Sequence, residues 1–155
     1  MVRRLFCLVV LFICLLLFPN CQGGEERTNL DQVVEYCWAY AQNHPDGFTL
    51  CISDYNVPVE GIVVSYEETQ NQFGIEGVRY AVTHASAHSQ IVGGWLNPKD
   101  QRYYFDSDTI FNEDSLADAI EWAKHNHQSC VFVLSSQQTI FMSSKYLPSV
   151  SRRIN

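Results

Sequence analysis

The chain has 155 residues, and ten Lys and Arg stand against 17 Asp and Glu, which gives a formal net charge of −7. A domain this acidic gains little from attraction to a polyanionic phosphate backbone. Nonspecific nucleic-acid binding and docking on anionic membrane surfaces are therefore disfavoured.

The first 23 residues have the layout of a secretory signal peptide. Arg3 and Arg4 precede an unbroken apolar run over residues 5–18. That run is shorter than the roughly 20 residues that a helix needs to cross a bilayer. Cys21-Gln22-Gly23 then offers small residues at positions −3 and −1 of a cleavage site. We expect a secreted, extracellular protein with no stable membrane anchor, an uncleaved anchor being the less favoured alternative.

Cleavage would leave one domain over residues 24–147 and a flexible tail over residues 148–155. The mature chain would carry eight Lys and Arg against 17 acids, a net charge of −9. A capping box from Thr28 to Asp31 predicts a helix that continues to about Gln42. Alternation over residues 48–53 and an apolar run over 61–66 predict two strands. Their close connection favours an antiparallel hairpin.

The predicted order of one helix followed by two strands recurs along the rest of the chain. Helical spacing from Ile75 to Ala85 predicts a second helix, and two strands over 91–96 and 102–105 flank a turn at 97–100. A third helix over about 116–126 and strands over 130–134 and 139–142 follow. The order α-β-β-α-β-β-α-β predicts the α+β class, with an antiparallel sheet of five or six strands and three helices packed on one of its faces.

Three cysteines, Cys37, Cys51 and Cys130, lie in the predicted mature chain. An odd number allows at most one internal bridge, so the core and not a disulfide framework must hold the fold. Cys51 and Cys130 lie on predicted strands, and we expect a bridge between them. Buried free thiols are an equally favoured alternative, because cysteine is among the most buried residue types.

A polar loop, which contains Thr69, Gln70 and Asn71, connects a buried strand to the second helix. A helix N-terminus has unpaired N–H groups and partial positive charge, so this loop is a candidate site for an anionic or carbonyl group. Polar loops on rigid scaffolds often carry function. The alternative is that Thr69 or Asn71 only caps the helix.

His84 and His88 are four residues apart on the same predicted helix. Such a pair projects from one face and could share a metal ion, or one histidine could act as an acid–base group. No third ligand is evident, so we expect no metal. Two solvated helix residues are the alternative.

The second hairpin carries glycines and aromatic residues. Gly93 and Gly94 inside a strand predict either a β-bulge or close approach by a neighbour or a ligand. Trp95 would lie opposite the aromatic cluster that contains Tyr104, forming a wall on which a planar group could stack. Asp106 follows as a candidate acid–base group. A packed aromatic core is the alternative.

No phosphate-binding loop, dinucleotide glycine signature, nucleophile elbow or Cys-X-X-Cys motif occurs, so no cofactor is expected. The ordered motifs over residues 47–50, 61–64, 69–74, 92–95, 103–107 and 131–134 resemble a small domain of unknown function. That domain is found mainly in bacterial proteins, particularly those of Bacteroidetes and their mobile elements. The resemblance spans residues 28–135. It implies no activity and assigns no catalytic residue, and because that family is mostly cytoplasmic, the export signal would mark a redirected version.

Two functions follow as expectations. The first is a secreted, acidic binding or effector-like module for an unknown protein or small-molecule partner. The second is a small secreted enzyme, a hydrolase or transferase acting on a nucleotide or another planar substrate. The enzyme requires the 69–71 loop, His84 or His88, and the 104–106 strand end to meet in one cleft, because catalytic groups must converge.

Overall fold

The computed structural model describes residues 22–142, with side chains from Asn29 onward. Most of the predicted signal peptide and all of the predicted tail lie outside the described residues. Residues from Val33 onward belong to one compact unit. No helix of the described chain is long and apolar enough to cross a membrane.

Three helices and seven strands make up the described residues. The helices are α1 (Gln22–Asn43), α2 (Gly74–Ser86) and α3 (Leu116–His125). The strands are β1 (Phe48–Cys51), β2 (Ile62–Ser65), β3 (Gln72–Phe73), β4 (Ile91–Asn97), β5 (Arg102–Phe111), β6 (Cys130–Val133) and β7 (Gln138–Phe141). Short 3-10 turns precede β3 and α3, at Glu67–Thr69 and Glu113–Ser115.

All strands join one open antiparallel sheet in the order β1-β4-β5-β2-β6-β7, and β3 pairs with the first half of β5. The predicted α+β class, with three helices and an antiparallel sheet, is confirmed. The β4–β5 hairpin is also confirmed, with Trp95 opposite Tyr104. The predicted β1–β2 hairpin is wrong, because β1 pairs with β4 while β2 pairs with β5 and β6.

The connection after β1 explains that error. Ile52 N–H donates to Gln90 O at 2.8 Å, which ties the chain to the start of β4. Tyr55 has a left-handed φ of 59°, and its ring lies 4.3 Å from that of Tyr36 on α1. These contacts hold the segment after β1 against β4 and α1. The residues from there to Gly61 are long enough to reach the far side of β5, where β2 begins.

All three helices contact the same face of the sheet, which we call the helix face. Trp38 of α1 packs against Tyr103 and Phe105, with ring centroids 5.8 and 5.9 Å apart. Ala119 and Ala123 of α3 form a buried cluster with Ile62, Val64 and Val131. α2 lies along β5, with Val78, Ala81, Val82 and Ala85 buried. Since side chains alternate along a strand, residues between these positions point to the opposite face.

The start of α1 differs from its prediction. The helix begins at Gln22 and not near Thr28. The Glu-Glu-Arg segment over 25–27 consists of good helix formers, and no stop signal separates it from the capping box. At the other end, the observed boundary at Asn43 is one residue from the predicted one, before the turn that contains Pro45.

The expected Cys51–Cys130 bridge is wrong, and all three described cysteines are free. Cys51 ends β1 and Cys130 begins β6, and β4, β5 and β2 lie between those strands. Four strand spacings of about 4.8 Å separate them by roughly 19 Å, whereas a disulfide needs Cα atoms within about 7 Å. Cys37 is buried in the core, and burial raises the pKa of its thiol to about 12.

Candidate functional site

Three aromatic rings form a row on the sheet face opposite the helices. Trp95 and Tyr104 are cross-strand partners, with stacked rings 5.5 Å apart. Phe73 pairs with Tyr104 on its other side, at 5.7 Å. We call Phe73, Tyr104 and Trp95 the aromatic ladder. Trp95 lies opposite Tyr104 as predicted, but Tyr103 and Phe105 of the predicted wall point to the helix face and contact Trp38.

The ladder is exposed at both ends. Trp95 retains 40 % of its surface and Phe73 retains 46 %. The guanidinium carbon of Arg102 lies 4.5 Å above the centre of the Phe73 ring. Tyr104 donates its hydroxyl hydrogen to Asp100 at 2.8 Å, and this bond raises the pKa of the tyrosine. The ladder is therefore a rigid apolar surface that already holds one cation.

Two carboxyl groups continue the same face beyond Tyr104. Asp106 is half-buried, and burial raises its pKa to about 7. Asp108 is only 3 % exposed. Burial and the charge of Asp106 raise the pKa of Asp108 well above its usual value. A hydrogen bond from the Ser65 side chain lowers this pKa, but its effect is smaller. Asp108 Oδ1 has no hydrogen-bond partner among the described residues.

The adjacent glycines of β4 make room on opposite faces. A Cβ on Gly93 would lie 2.3 Å from Asp108 Oδ2. A Cβ on Gly94 would lie 2.8 Å from the Phe48 ring and 2.9 Å from that of Phe105. The predicted close approach at these glycines is confirmed. Gly93 allows the Asp108 carboxyl to lie beside Asp106, and Gly94 allows the aromatic core to close.

His84 and His88 belong to a different cluster, on the helix side. Their rings are parallel and 3.9 Å apart, and both pack against Tyr66 at about 5 Å. Trp122 of α3 meets the other side of Tyr66 at 5.8 Å. Partial burial is the main cause that lowers the pKa of His84, and the nearby His88 lowers it further. The negative charge of Glu68 acts in the opposite direction.

The ring geometry does not suit a shared metal ion. His88 Nδ1 is 2.7 Å from His84 O, so this nitrogen carries the proton and donates it to the carbonyl. In stacked imidazoles, the ring-plane lone pairs run parallel and do not converge on one point. Among residues 22–142, no group of three or more His, Cys, Asp or Glu is placed to hold a metal.

The side chains of the predicted 69–71 loop make hydrogen bonds that connect it to β5 and to the end of α3. Thr69 is fully buried, and its Oγ1 accepts a hydrogen bond from Ser107 N–H at 2.9 Å. The side-chain N–H of Gln70 donates a hydrogen bond to Asn126 O at 2.9 Å. Asn71 takes a left-handed φ of 62°. Helix α2 begins after Phe73 without a side-chain cap, so the capping alternative for Thr69 or Asn71 is wrong.

The residues of the expected catalytic cleft therefore divide between two faces. Asp106, Tyr104 and Trp95 lie together on the face away from the helices. Tyr66, which contacts His84 and His88, also contacts Trp122, and Trp122 packs on Phe111 of the helix face at 6.0 Å. We call Phe73, Trp95, Tyr104, Asp106 and Asp108 the ladder site. Phe73 was missed because its strand has only two residues, too few for a periodic signal.

Comparisons with protein-family models, with curated proteins and with solved structures find no match to this chain. The resemblance to a bacterial domain therefore stays a prediction.

Substitution of Thr69 by Val should destabilise the protein. Valine keeps the shape but leaves the buried Ser107 N–H without its acceptor, at a cost of about 1–3 kcal/mol in the free energy of unfolding. Urea denaturation measures this. Thr83→Val is the control, because the exposed Thr83 hydroxyl only donates to the Arg79 carbonyl of its own helix. Equal effects of the two substitutions would contradict the structural role of Thr69.

The pKa of Asp106 predicts that its contribution to stability falls as the pH rises. The folded-state pKa is about 7 and the usual value is 3.8. The folded state therefore binds this proton more tightly, and the resulting stabilisation is complete below about pH 4 and lost through pH 7. In wild type, the free energy of unfolding should fall between pH 4 and pH 8 by roughly 2–4 kcal/mol more than it does in Asp106→Asn.

Urea denaturation across that range compares wild type, Asp106→Asn and Asp118→Asn. Asp118, in the first turn of α3, controls for the loss of one negative charge. If wild type and Asp106→Asn show the same pH dependence, Asp106 ionises normally in the folded protein.

Proposed function

We propose that this protein is a secreted, acidic binding module that recognises its partner at the ladder site. The observation that carries the proposal is the exposed aromatic ladder, which ends at a half-buried carboxyl group on the sheet face away from the helices. Tryptophan and tyrosine are enriched where protein surfaces bind partners, because they offer a large contact area at a small entropic cost.

The support of the ladder by the sheet favours binding. Trp95 and Tyr104 lie on the two strands of a seven-residue antiparallel register, and Phe73 extends the row onto β3. Ring positions fixed by three paired strands lose little freedom when a ligand binds, which lowers the cost of association. Export through the signal peptide is part of the proposal, and it would place this surface in contact with extracellular molecules.

Replacement of Trp95 by Ala should abolish partner capture without unfolding the protein. A central tryptophan commonly contributes 2 kcal/mol or more to an interface, so affinity should fall by about 30-fold or more. The measurement is an affinity pull-down with the secreted protein, followed by binding isotherms for each captured partner. Trp95 is 40 % exposed, so the loss of the ring leaves no large cavity in the core.

Tyr80→Ala is the matched control, because Tyr80 is an aromatic residue on α2 with a comparable exposure of 48 %. Partners that bind wild type and Tyr80→Ala, but not Trp95→Ala, support the proposal. A partner that binds all three proteins equally would place recognition elsewhere on the surface.

A second candidate is an acid–base enzyme that uses the same site. The specific observation is that Asp106 has a pKa of about 7 beside a second buried carboxyl, which suits proton transfer near neutral pH. A nucleotide or another planar substrate would stack on Trp95. This candidate keeps the 104–106 strand end but omits His84, His88 and the 69–71 loop.

Incubation with a panel of nucleotides and aromatic esters, followed by chromatography, tests the enzyme. Asp106→Asn should then abolish turnover, while Trp95→Ala should mainly raise KM. Turnover that survives Asp106→Asn would reject this mechanism.

A further inference from the structure

We infer that the ligand group bound at the ladder site is an organic cation of the guanidinium or ammonium class, carried by a basic partner and placed between the Trp95 ring and the Asp106 carboxylate. The inference rests on the proposed function and specifies its ligand chemistry. Four features of the site point to a cation.

The first feature is the imbalance of hydrogen-bonding groups beside the ladder. Asp106 offers only acceptors when it is ionised, and the neighbouring Ser65 side chain is already bonded to Asp108. Asp108 is 3 % exposed, and its Oδ1 has no hydrogen-bond partner within residues 22–142. A surface rich in acceptors selects ligands that bring N–H donors, and an ammonium or guanidinium group carries donors alone.

The second feature is the cation that the ladder already holds. Arg102 lies 4.5 Å over Phe73 at one end of the ladder. Trp95, at the other end, is 40 % exposed. Tryptophan attracts cations more strongly than phenylalanine does. The chain's own contact thus shows, at Phe73, the interaction that Trp95 offers to a ligand.

The third feature is the absence of a β4 side chain beside Asp106, where the room over Gly93 holds only the Asp108 carboxyl group. Gly93 is the cross-strand partner of Asp106, and Trp95 follows two residues later on the same face. Neighbouring positions on one face of a strand are about 6.5–7 Å apart. A guanidinium or ammonium group spans that distance, contacting the ring with its face or methylene carbons and the carboxylate with its N–H groups.

The fourth feature is long-range charge. The predicted mature chain has eight Lys and Arg against 17 acids. A net negative protein repels anionic ligands and speeds the approach of basic ones, which complements a local cation site.

Cation binding at this site should strengthen as the pH rises. The titratable groups on the face around Asp106 are Asp108 and Tyr104 of its own strand and, two strands away on β1, Cys51. The facing residue of β4 is Gly93, and Thr49 of β1, Ser65 of β2 and Phe73 of β3 share this face and do not titrate. With its pKa near 7, Asp106 changes from mostly protonated at pH 6 to mostly ionised at pH 8. The affinity for a cation should rise about tenfold over that interval.

The experiment titrates the 15N-labelled secreted protein with methylguanidinium and, separately, with N-methylurea, its neutral isostere. The indole Nε1–H resonances of Trp38, Trp95 and Trp122 report the location, since only Trp95 lies on the ladder. At pH 8, methylguanidinium should shift the Trp95 signal and saturate at millimolar concentrations, while N-methylurea should leave it unchanged. Asp106→Asn should weaken binding at least tenfold, and Asp118→Asn should not.

The outcomes separate the inference from the proposed function. If both probes shift Trp95 equally, or if methylguanidinium fails to bind wild type up to 50 mM (roughly tenfold above the millimolar range expected for a single exposed contact), the cation inference is overturned. Loss of partner capture in Trp95→Ala would still uphold the binding surface. If partner capture is unchanged in Trp95→Ala, the proposed function fails whatever the small cation does. Selective, pH-dependent binding of methylguanidinium at Trp95 supports the inference.

Discussion

The close pairing of β4 with β5 is the contact on which the rest of the structure depends. Seven successive residue pairs join these strands, and every other strand attaches to one of them directly or through β2. Gly93 and Gly94 leave room on the two faces of this hairpin, because a side chain at either position would collide with Asp108 on one face or with Phe48 and Phe105 on the other. Two adjacent residues without side chains thus make room for the Asp108 carboxyl on one face and for the aromatic core on the other.

The two faces of that hairpin have different tasks. Phe105 and Ser107 are buried against the helices, and Thr69 secures the position by accepting the Ser107 N–H. Tyr104, Asp106 and Asp108 occupy the alternate positions and form the ladder site with Trp95 and Phe73. A single ten-residue strand therefore supports the core and presents the candidate site. Rigid strands are good supports for such a site, because cross-strand bonds fix each side chain relative to the next.

Several polar residues that the sequence marked as candidate site residues, in the 69–71 loop and at His84 and His88, instead make contacts that hold the fold together. The 69–71 loop is bonded to β5 and to the end of α3, where Gln70 reaches Asn126. His84 and His88 pack with Tyr66 and Trp122, which joins α2 to α3. These groups hold two helices and a strand end together on the helix face. The chemistry that remains open to a ligand is concentrated at Asp106 and the ladder, where burial and a neighbouring carboxyl have altered the protonation of the acids.

Local pattern alone determined the α+β class, the three helices and the β4–β5 hairpin, because periodicity and turn residues act over a few positions. It also brought Trp95 and Tyr104 together, since a hairpin fixes its own register. Strand order was decided by tertiary structure: β1 lies beside β4, which separates Cys51 from Cys130, and Phe73 joins the ladder through a two-residue strand. The burial that raises the pKa of Asp106 also depends on the assembled sheet. Contacts between distant segments set these features, and no local periodicity encodes them.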